Sequence, residues 1–162
     1  MQAKRIPMSL HLRPQIASRA WPCRTIRDAD RQHLAILMYA AFRGTIDDEG
    51  GTFSDAVGEI EKTMTGDYGR LLGDCSFVIP QGEFLASACL ISWYEPSATP
   101  FVVFTMTRPE HRTQGMARFL LKRSINALIT HGHSALTLIV TDGNRPAQSL
   151  YKSLGFCEIP SG

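Results

Sequence analysis

The stretch from Thr105 to Phe156, and above all the turn Arg112-Thr113-Gln114-Gly115-Met116-Ala117 with the helix it opens, constrains this chain more than any other part. The β-branched and aromatic run Phe101-Val102-Val103-Phe104-Thr105-Met106-Thr107 has the character of a buried strand, and Arg108-Pro109-Glu110-His111 interrupts it before the turn. From Met116 the pattern is helical. Ala117, Leu120, Leu121 and Leu128 fall on one face, Arg118, Lys122, Arg123 and Asn126 lie largely off it, and Gly132 stands where a C-terminal cap belongs. Strand, glycine turn and helix together favour an anion, because the first N–H groups of a helix have no intrahelical partner and the dipole is positive there. Gly115, without a Cβ, lets the anion approach the backbone, and Arg112 adds a forked cation beside it. The ligand this stretch suits is a phosphate.

A Walker loop would read G-x-x-x-x-G-K-[ST] and a dinucleotide fingerprint G-x-G-x-x-G, and neither occurs around Gly115. The segment Arg112 to Ala117 instead resembles the pyrophosphate-binding signature R/Q-x-x-G-x-G/A of the GNAT superfamily of N-acetyltransferases. Downstream, a strand Ala135-Leu136-Thr137-Leu138-Ile139-Val140 leads to Asn144-Arg145-Pro146-Ala147-Gln148-Ser149-Leu150-Tyr151-Lys152-Ser153-Leu154-Gly155-Phe156, similar to the same family's N-x-x-A-x-x-L-Y-x-x-x-G-F segment at each named position. Either motif alone is weak; both, at the right separation, are strong.

The resemblance implies an α/β fold of α+β type, with a central mixed, mostly antiparallel sheet of about six strands, a splayed strand pair that binds coenzyme A, and about four flanking helices. The rest of the chain supplies elements in that order. Cys23 to Ile26 reads as a short strand and Arg27-Asp28-Ala29-Asp30 opens a helix bearing Leu34, Leu37, Met38 and Ala41. Thr52-Phe53-Ser54-Asp55 is a capping-box start for a second helix with Phe53, Val57, Ile60 and Met64 on one face. Ser76–Pro80 and Glu83–Trp93 read as strands joined at Gln81-Gly82. The segmentation expected is a basic, partly irregular amino-terminal extension over 1–21 and a single GNAT domain over 22–162. Within the extension, Ser9 to Leu12 is a candidate short strand.

One departure stands out. Only seven residues follow Gly155, room for a strand from Phe156 to about Ile159 but not for the last strand that most of the family carries. An open sheet edge is normally covered or paired. The expectation is that the edge is completed by a second copy of the chain, as a homodimer, or by the amino-terminal extension.

Composition sets bounds on partners. The chain has 162 residues, enough for one domain, and 17 Lys and Arg against 15 Asp and Glu leave a net charge of +2, which argues against a dedicated nucleic-acid partner. Six basic and no acidic residues lie between Met1 and Arg27, which raises RNA or ribosome delivery as a third, weaker reading, but prolines scatter them and they make a poor stacking platform. No apolar run approaches the roughly 20 residues of a transmembrane helix, so no membrane partner is expected, and the expected location is cytoplasmic. The four cysteines, Cys23, Cys75, Cys89 and Cys157, are widely spaced and read as reduced thiols. His131-Gly132-His133 lacks a further ligand at metal spacing and reads as a helix end, so no metal is expected.

What the resemblance implies chemically is an acyltransferase using acetyl-CoA, an N-acetyltransferase acting on a primary amine of a small molecule or a protein by direct attack in a ternary complex. By that resemblance Arg112, Thr113, Gln114, Gly115, Met116 and Ala117 hold the pyrophosphate, and backbone groups of Thr105, Met106 and Thr107 pair with the pantetheine arm and polarise the thioester. Tyr151 occupies the position of the acid that protonates the departing thiolate. A phenol of pKa about 10 is close enough to a thiol of about 8.5 for that transfer. Asn144 either caps its helix or also contacts the cofactor arm. The strand Phe101 to Met106 has no carboxylate, so the base for the amine is open. Asp47, Asp48, Glu49 and Glu95 are the candidates, and Asp47 to Glu49 serve equally as an attractor for a cationic amine or as a solvated loop. The alternative from another class is a GNAT-like domain that binds acyl-CoA as a sensor or interaction module without turnover.

Overall fold

The computed structural model describes residues 3–160; Met1, Gln2, Ser161 and Gly162, the outer ends of the two expected segments, lie outside the described residues. The elements in chain order are β1 (Arg5–His11), β2 (Arg24–Thr25), α1 (Arg31–Phe42), α2 (Phe53–Thr65), β3 (Phe77–Gln81), β4 (Phe84–Tyr94), β5 (Thr99–Thr107), α3 (Met116–Thr130), β6 (Ala135–Thr141), α4 (Arg145–Ser153) and β7 (Cys157–Glu158). From β2 onward this is the order read from the sequence. Among the described residues the strands form one mixed sheet in the order β2-β3-β4-β5-β6-β1-β7, in which only β5 and β6 run parallel.

Two details differ from the sequence reading. The sheet has seven strands where about six were expected, because the amino-terminal segment contributes a full strand, Arg5–His11, which overlaps Ser9–Leu12 but begins earlier and is longer. That strand pairs with β6 from Arg5↔Thr141 to His11↔Ala135 and with β7 at Met8↔Glu158 and Ser9↔Cys157. It therefore takes the place beside β6, between β6 and β7, the second of the two expected ways of completing the edge. The hairpin turn is also shifted by one residue. Gln81 pairs with Phe84, so Gly82 and Glu83 form the two-residue connection, with Gly82 at φ +58°.

Hydrophobic alternation decides which face each strand buries. In β1, Ile6, Met8 and Leu10 point into the core while Arg5, Pro7 and Ser9 point out, as a period of two requires. They join Phe119, Leu120, Ile125 and Leu128 of α3 and Leu136, Leu138 and Val140 of β6 in one core. On the other face α1 and α2 cover Val78, Leu85, Ala88, Leu90 and Met106 through Leu34, Leu37, Met38 and Ile60. The helix starts are local. Thr52 and Asp55 form the expected reciprocal box, Asp55 N–H to Thr52 Oγ1 at 3.2 Å and Thr52 N–H to Asp55 Oδ2 at 2.7 Å.

One buried ion pair ties β2 to the start of α1. Asp30 accepts two bonds from the Arg24 guanidinium, each 2.9 Å, and one from Arg27 N–H at 2.8 Å. Burial opposes the Asp30 charge, but the Arg24 and Arg27 bonds and their positive charges outweigh it and hold the carboxyl below its ordinary value. A depressed carboxyl contributes stability that is present above the unfolded value of about 3.9 and is lost as pH falls through the folded value. Asp30→Asn is expected to lower stability by about 2–3 kcal/mol at neutral pH. In thermal melts the gap between the variant and the parent should stay constant from pH 7 to about pH 5 and narrow only as the pH falls below the unfolded value of about 3.9; a gap that does not narrow there would contradict the charge argument.

Candidate active site

β5 is the strand on which the site is built, and its irregularity comes from pairing. Along β4 the register places Leu90 opposite Phe104 but Ile91 opposite Val102, so Val103 has no partner and β5 carries a bulge there. The bulge reverses the alternation: Val102 and Thr105 face the α3 side, while Phe104 and Met106 face α1. β5 pairs with β6 at Phe101↔Thr137, where Thr137 Oγ1 also donates to Pro100 O at 3.2 Å, and no ladder pair with β6 follows. The two strands therefore part beyond Phe101, where the bulge begins. Arg108 N–H donates to Ala86 O at 2.9 Å, so by antiparallel alternation Met106, opposite Ala88, also bonds toward β4. Thr105 and Thr107 then turn their N–H and C=O groups into the gap.

Into this gap opens a cleft of about 680 Å³, walled by β5, the start of α3, the β6–α4 junction and the end of α1. It gathers residues far apart in sequence: Thr105, Met106, Thr107, Arg112, Thr113, Gly115, Met116, Ala117, Asn144, Tyr151 and Asp47. Gln114 is the one signature residue that does not line it. Gly115, at φ +91°, is the N-cap of α3 and Thr113 also has a positive φ of 65°. Among the described residues the N–H groups of Gly115, Met116, Ala117 and Arg118 have no hydrogen-bond acceptor, since the first helical bond is Phe119 N–H to Gly115 O at 3.0 Å. A row of free donors at the positive end of a helix is what an anion needs.

Arg112 lines the cleft, but its Nη2 donates to Ala41 O at 2.6 Å and so caps the carbonyl end of α1. The nearest further cation in the lining is Arg118, which also reaches Ser153 Oγ. Asn144 caps α4 through Ala147 N–H to Oδ1 at 3.3 Å, while its Nδ2 donates to Asp47 Oδ2 at 3.0 Å. Asp47 Oδ1 accepts from Thr141 Oγ1 at 2.7 Å, so this carboxylate locks the loop after α1 onto the β6–α4 junction.

The four candidate acidic residues separate. Asp47 faces the cleft. Asp48 turns back on its own loop, accepting from Gly44 N–H and Gly50 N–H at 2.8 Å each, and these bonds hold its carboxyl below the ordinary value. Glu49 is exposed and outside the cleft. Glu95 lines a second cavity of about 530 Å³ with Glu59, Asp67, Tyr68, Tyr94 and Phe101.

Tyr151 is half-buried and packs its ring against Phe156 at 5.7 Å. Burial pushes the phenol above its ordinary 10; the Thr105 hydroxyl opposes the rise, and Cys89 and the Asp47 charge add to it. Thr105 Oγ1 is buried beside Tyr151 and Cys89 without a well-formed hydrogen bond. The Cys89 thiol, fully buried and opposite Thr105, is pushed up to about 12 by that burial, which the bond from Ser124 and the neighbouring Thr105 hydroxyl only partly oppose. It is a neutral, inert neighbour at physiological pH.

Sequence reasoning did not find the Val103 bulge, the contact of Arg112 with α1, or Arg118 as a cleft residue. Arg118 carried a signal, a cation in the first turn of the anion-facing helix. The other two depend on pairing and packing and have no local signature.

Over residues 39–156 the chain matches the family described as Acetyltransferase (GNAT) family. No curated protein sequence matches it. Among solved structures, it is similar to a GCN5-related N-acetyltransferase from Sphaerobacter thermophilus, with 16% identity and a TM-score of 0.70 over 96% of this chain and 48% of that one. This chain thus spans about half the length of the Sphaerobacter protein. It is also similar to the ribosomal-protein-S18-alanine N-acetyltransferase from Escherichia coli, with 22% identity and a TM-score of 0.65 over 86% of this chain and 79% of that one. A third likeness is to the aminoglycoside N-acetyltransferase AAC(6')-Iy in complex with CoA, with 16% identity and a TM-score of 0.64 over 91% of this chain and 95% of that one.

Proposed function

The chain belongs to the GNAT acetyltransferase family, and from that membership we propose that it is an acetyl-CoA-dependent N-acetyltransferase, acting on a primary amine by direct attack in a ternary complex. The observation that carries the proposal is the single cleft that holds the free N–H groups of Gly115 to Arg118, the unpaired backbone edge of Thr105 and Thr107, and the Tyr151 phenol. Phosphate donors, a main-chain edge for an extended arm and a proton donor are what a coenzyme A thioester requires, in that order along its length.

Acetyl-CoA supplies an activated acetyl group. Gly115, Met116, Ala117 and Arg118 bind its pyrophosphate through their N–H groups, and the helix dipole favours the charge. Thr105 and Thr107 orient the pantetheine arm and offer N–H groups to the thioester oxygen as it gains negative charge. The C–N bond forms, the C–S bond breaks, Tyr151 gives its proton to the departing sulfur, and the proton the amine releases to water restores the phenol. Both oxygens of Asp47 already accept hydrogen bonds, so this residue holds the cleft wall and the amine's surplus proton leaves through water. Cys89, neutral and sealed, takes no acetyl group.

For the acceptor, the fold's relatives include enzymes named for a small molecule and for a ribosomal protein, and the proposal spans both a small-molecule amine and a protein amino group. The second cavity, where Glu59, Asp67 and Glu95 outnumber the one cation Arg5 and stand beside aromatic rings, is suited to receive a cationic amine.

Calorimetric titration with acetyl-CoA tests the reading. The parent chain is expected to bind, and Gly115→Glu to lose binding, because the side chain brings a negative charge to the anion donors. Circular dichroism of the variant should retain the parent spectrum. A parent chain that shows no heat with acetyl-CoA overturns the proposal.

A further inference from the structure

A chain whose first strand lies inside the sheet must travel back to reach β2 at the opposite edge. The segment Leu12 to Cys23 makes this journey along α3, against the helix direction. Leu12 N–H bonds Ser134 O beyond the helix end at 2.9 Å. Gln15 and Asn126 exchange two bonds, at 2.8 and 3.0 Å. Lys122 Nζ donates to Ile16 O at 2.9 Å, the Trp21 ring stands 5.7 Å from that of Phe119, and Arg19 Nη1 donates to Gln114 O at 3.3 Å. The partners descend α3 from its carboxyl end to its first turn, so the segment is a strap fixed along its length, and its far end stands on the loop that holds Gly115.

Two side chains are presented there. The Trp21 indole edge lies 3.5 Å from where a Cβ on Gly115 would sit. The Arg19 guanidinium lies over the Trp21 ring, 4.7 Å from its centroid, a stacking that restricts the cation to one position beside the turn. Arg19 has one N–H on Gln114 O and keeps further donors of its planar fork. Arg112, the cation of the signature, is by contrast directed to Ala41 O at the end of α1. Arg19 and Trp21 stand outside the cleft lining, on the Gln114 side of the turn, so the strap brings a cation beside the loop that carries the free N–H groups.

We propose that Arg19 and Trp21 belong to the cofactor site: Arg19 pairs with a phosphate of the nucleotide end of coenzyme A, and Trp21 holds Arg19 in place and closes that side of the Gly115 turn. This rests on the reading of the turn as the pyrophosphate site. It gives the amino-terminal segment two tasks from one topology, a strand that completes the sheet and a strap that completes the ligand site.

The test compares acetyl-CoA with S-acetylpantetheine, which carries the same thioester and no phosphate. In the full chain, Arg19→Ala is expected to weaken acetyl-CoA binding about tenfold, the scale of one charge-assisted bond, with no change toward S-acetylpantetheine and no change in melting temperature. Arg19→Lys should restore part of the loss. In a Trp93→Phe background, leaving Trp21 as the remaining tryptophan, acetyl-CoA should change the indole fluorescence and S-acetylpantetheine should not. A parent that binds acetyl-CoA equally well as Arg19→Ala overturns the strap proposal alone. Equal losses toward both ligands would assign Arg19 a merely structural role and also overturn it. A parent that binds neither ligand overturns the strap and the acetyltransferase reading together.

Discussion

Met8→Asp is expected to leave the chain without a cooperative melting transition. Met8 is 1% exposed and sits at the centre of β1, opposite Leu138 of β6 on one side and Glu158 of β7 on the other. A carboxylate there would have to be desolvated among Ile6, Leu10, Leu136 and Leu138, with no cation among those neighbours. The strand would then be expelled. Ile6, Met8, Leu10 and Leu12 are all buried, and at about 1.5–3 kcal/mol each their burial is worth about 6–12 kcal/mol. A domain has only about 5–15 kcal/mol in total. β7 reaches the sheet through β1, so it would detach as well and uncover Leu154 and Phe156. Deleting Met1 to Trp21 should act in the same way. Circular dichroism melts and light scattering check both; a folded, monomeric deletion variant would show that the strand is dispensable and that no second copy replaces it.

Tyr151→Phe is expected to lower kcat by about 10²–10³-fold while leaving acetyl-CoA affinity within a factor of about two, the cost of removing a general acid without removing a binding contact. An acyl-CoA sensor of the same fold would be indifferent to the loss of one phenolic oxygen, so this variant separates the two classes of function. The pH dependence follows from the direction of the shift. The phenol serves as an acid only while protonated, below its pKa, and burial raises that value above the ordinary 10. Rate should therefore rise with pH as the amine acceptor loses its proton and should not decline on account of Tyr151 before pH 10. The same rise makes the phenol a weaker acid, so its proton moves as charge develops on sulfur rather than ahead of it. A parent profile that falls between pH 7 and pH 9, with the Phe variant parallel to it, would remove Tyr151 from this role.

Much of the fold was legible because its signals are local. The Thr52–Asp55 box, the Asn144 cap on Ala147 and the glycine at the start of α3 join residues within three or four positions, and such bonds depend little on the rest of the chain. The motif spacing through Arg112, Gly115, Asn144 and Tyr151 belongs to the same category, one βαβα run whose order in sequence is its order in space. The turn at Gly82 was displaced by one residue because register, not turn composition, decides which residues face each other, and register is set across strands.

The amino-acid sequence by itself determined the succession of elements, the caps and the cleft-lining residues of a continuous strand, turn and helix. Tertiary structure alone decided where the first strand goes. In the sequence only Ser9 to Leu12 reads as a candidate short strand in a basic, proline-bearing segment, and pairing with β6 and β7 is what makes Arg5–His11 a strand with two partners. The bulge at Val103, the turning of Arg112 toward Ala41, the tie of Asp47 to Thr141 and Asn144, and the arrival of Arg19 and Trp21 at Gly115 follow from that assembly. All but the bulge join groups tens of residues apart, and such contacts form only where many buried side chains together offset the entropy of closing the chain between them.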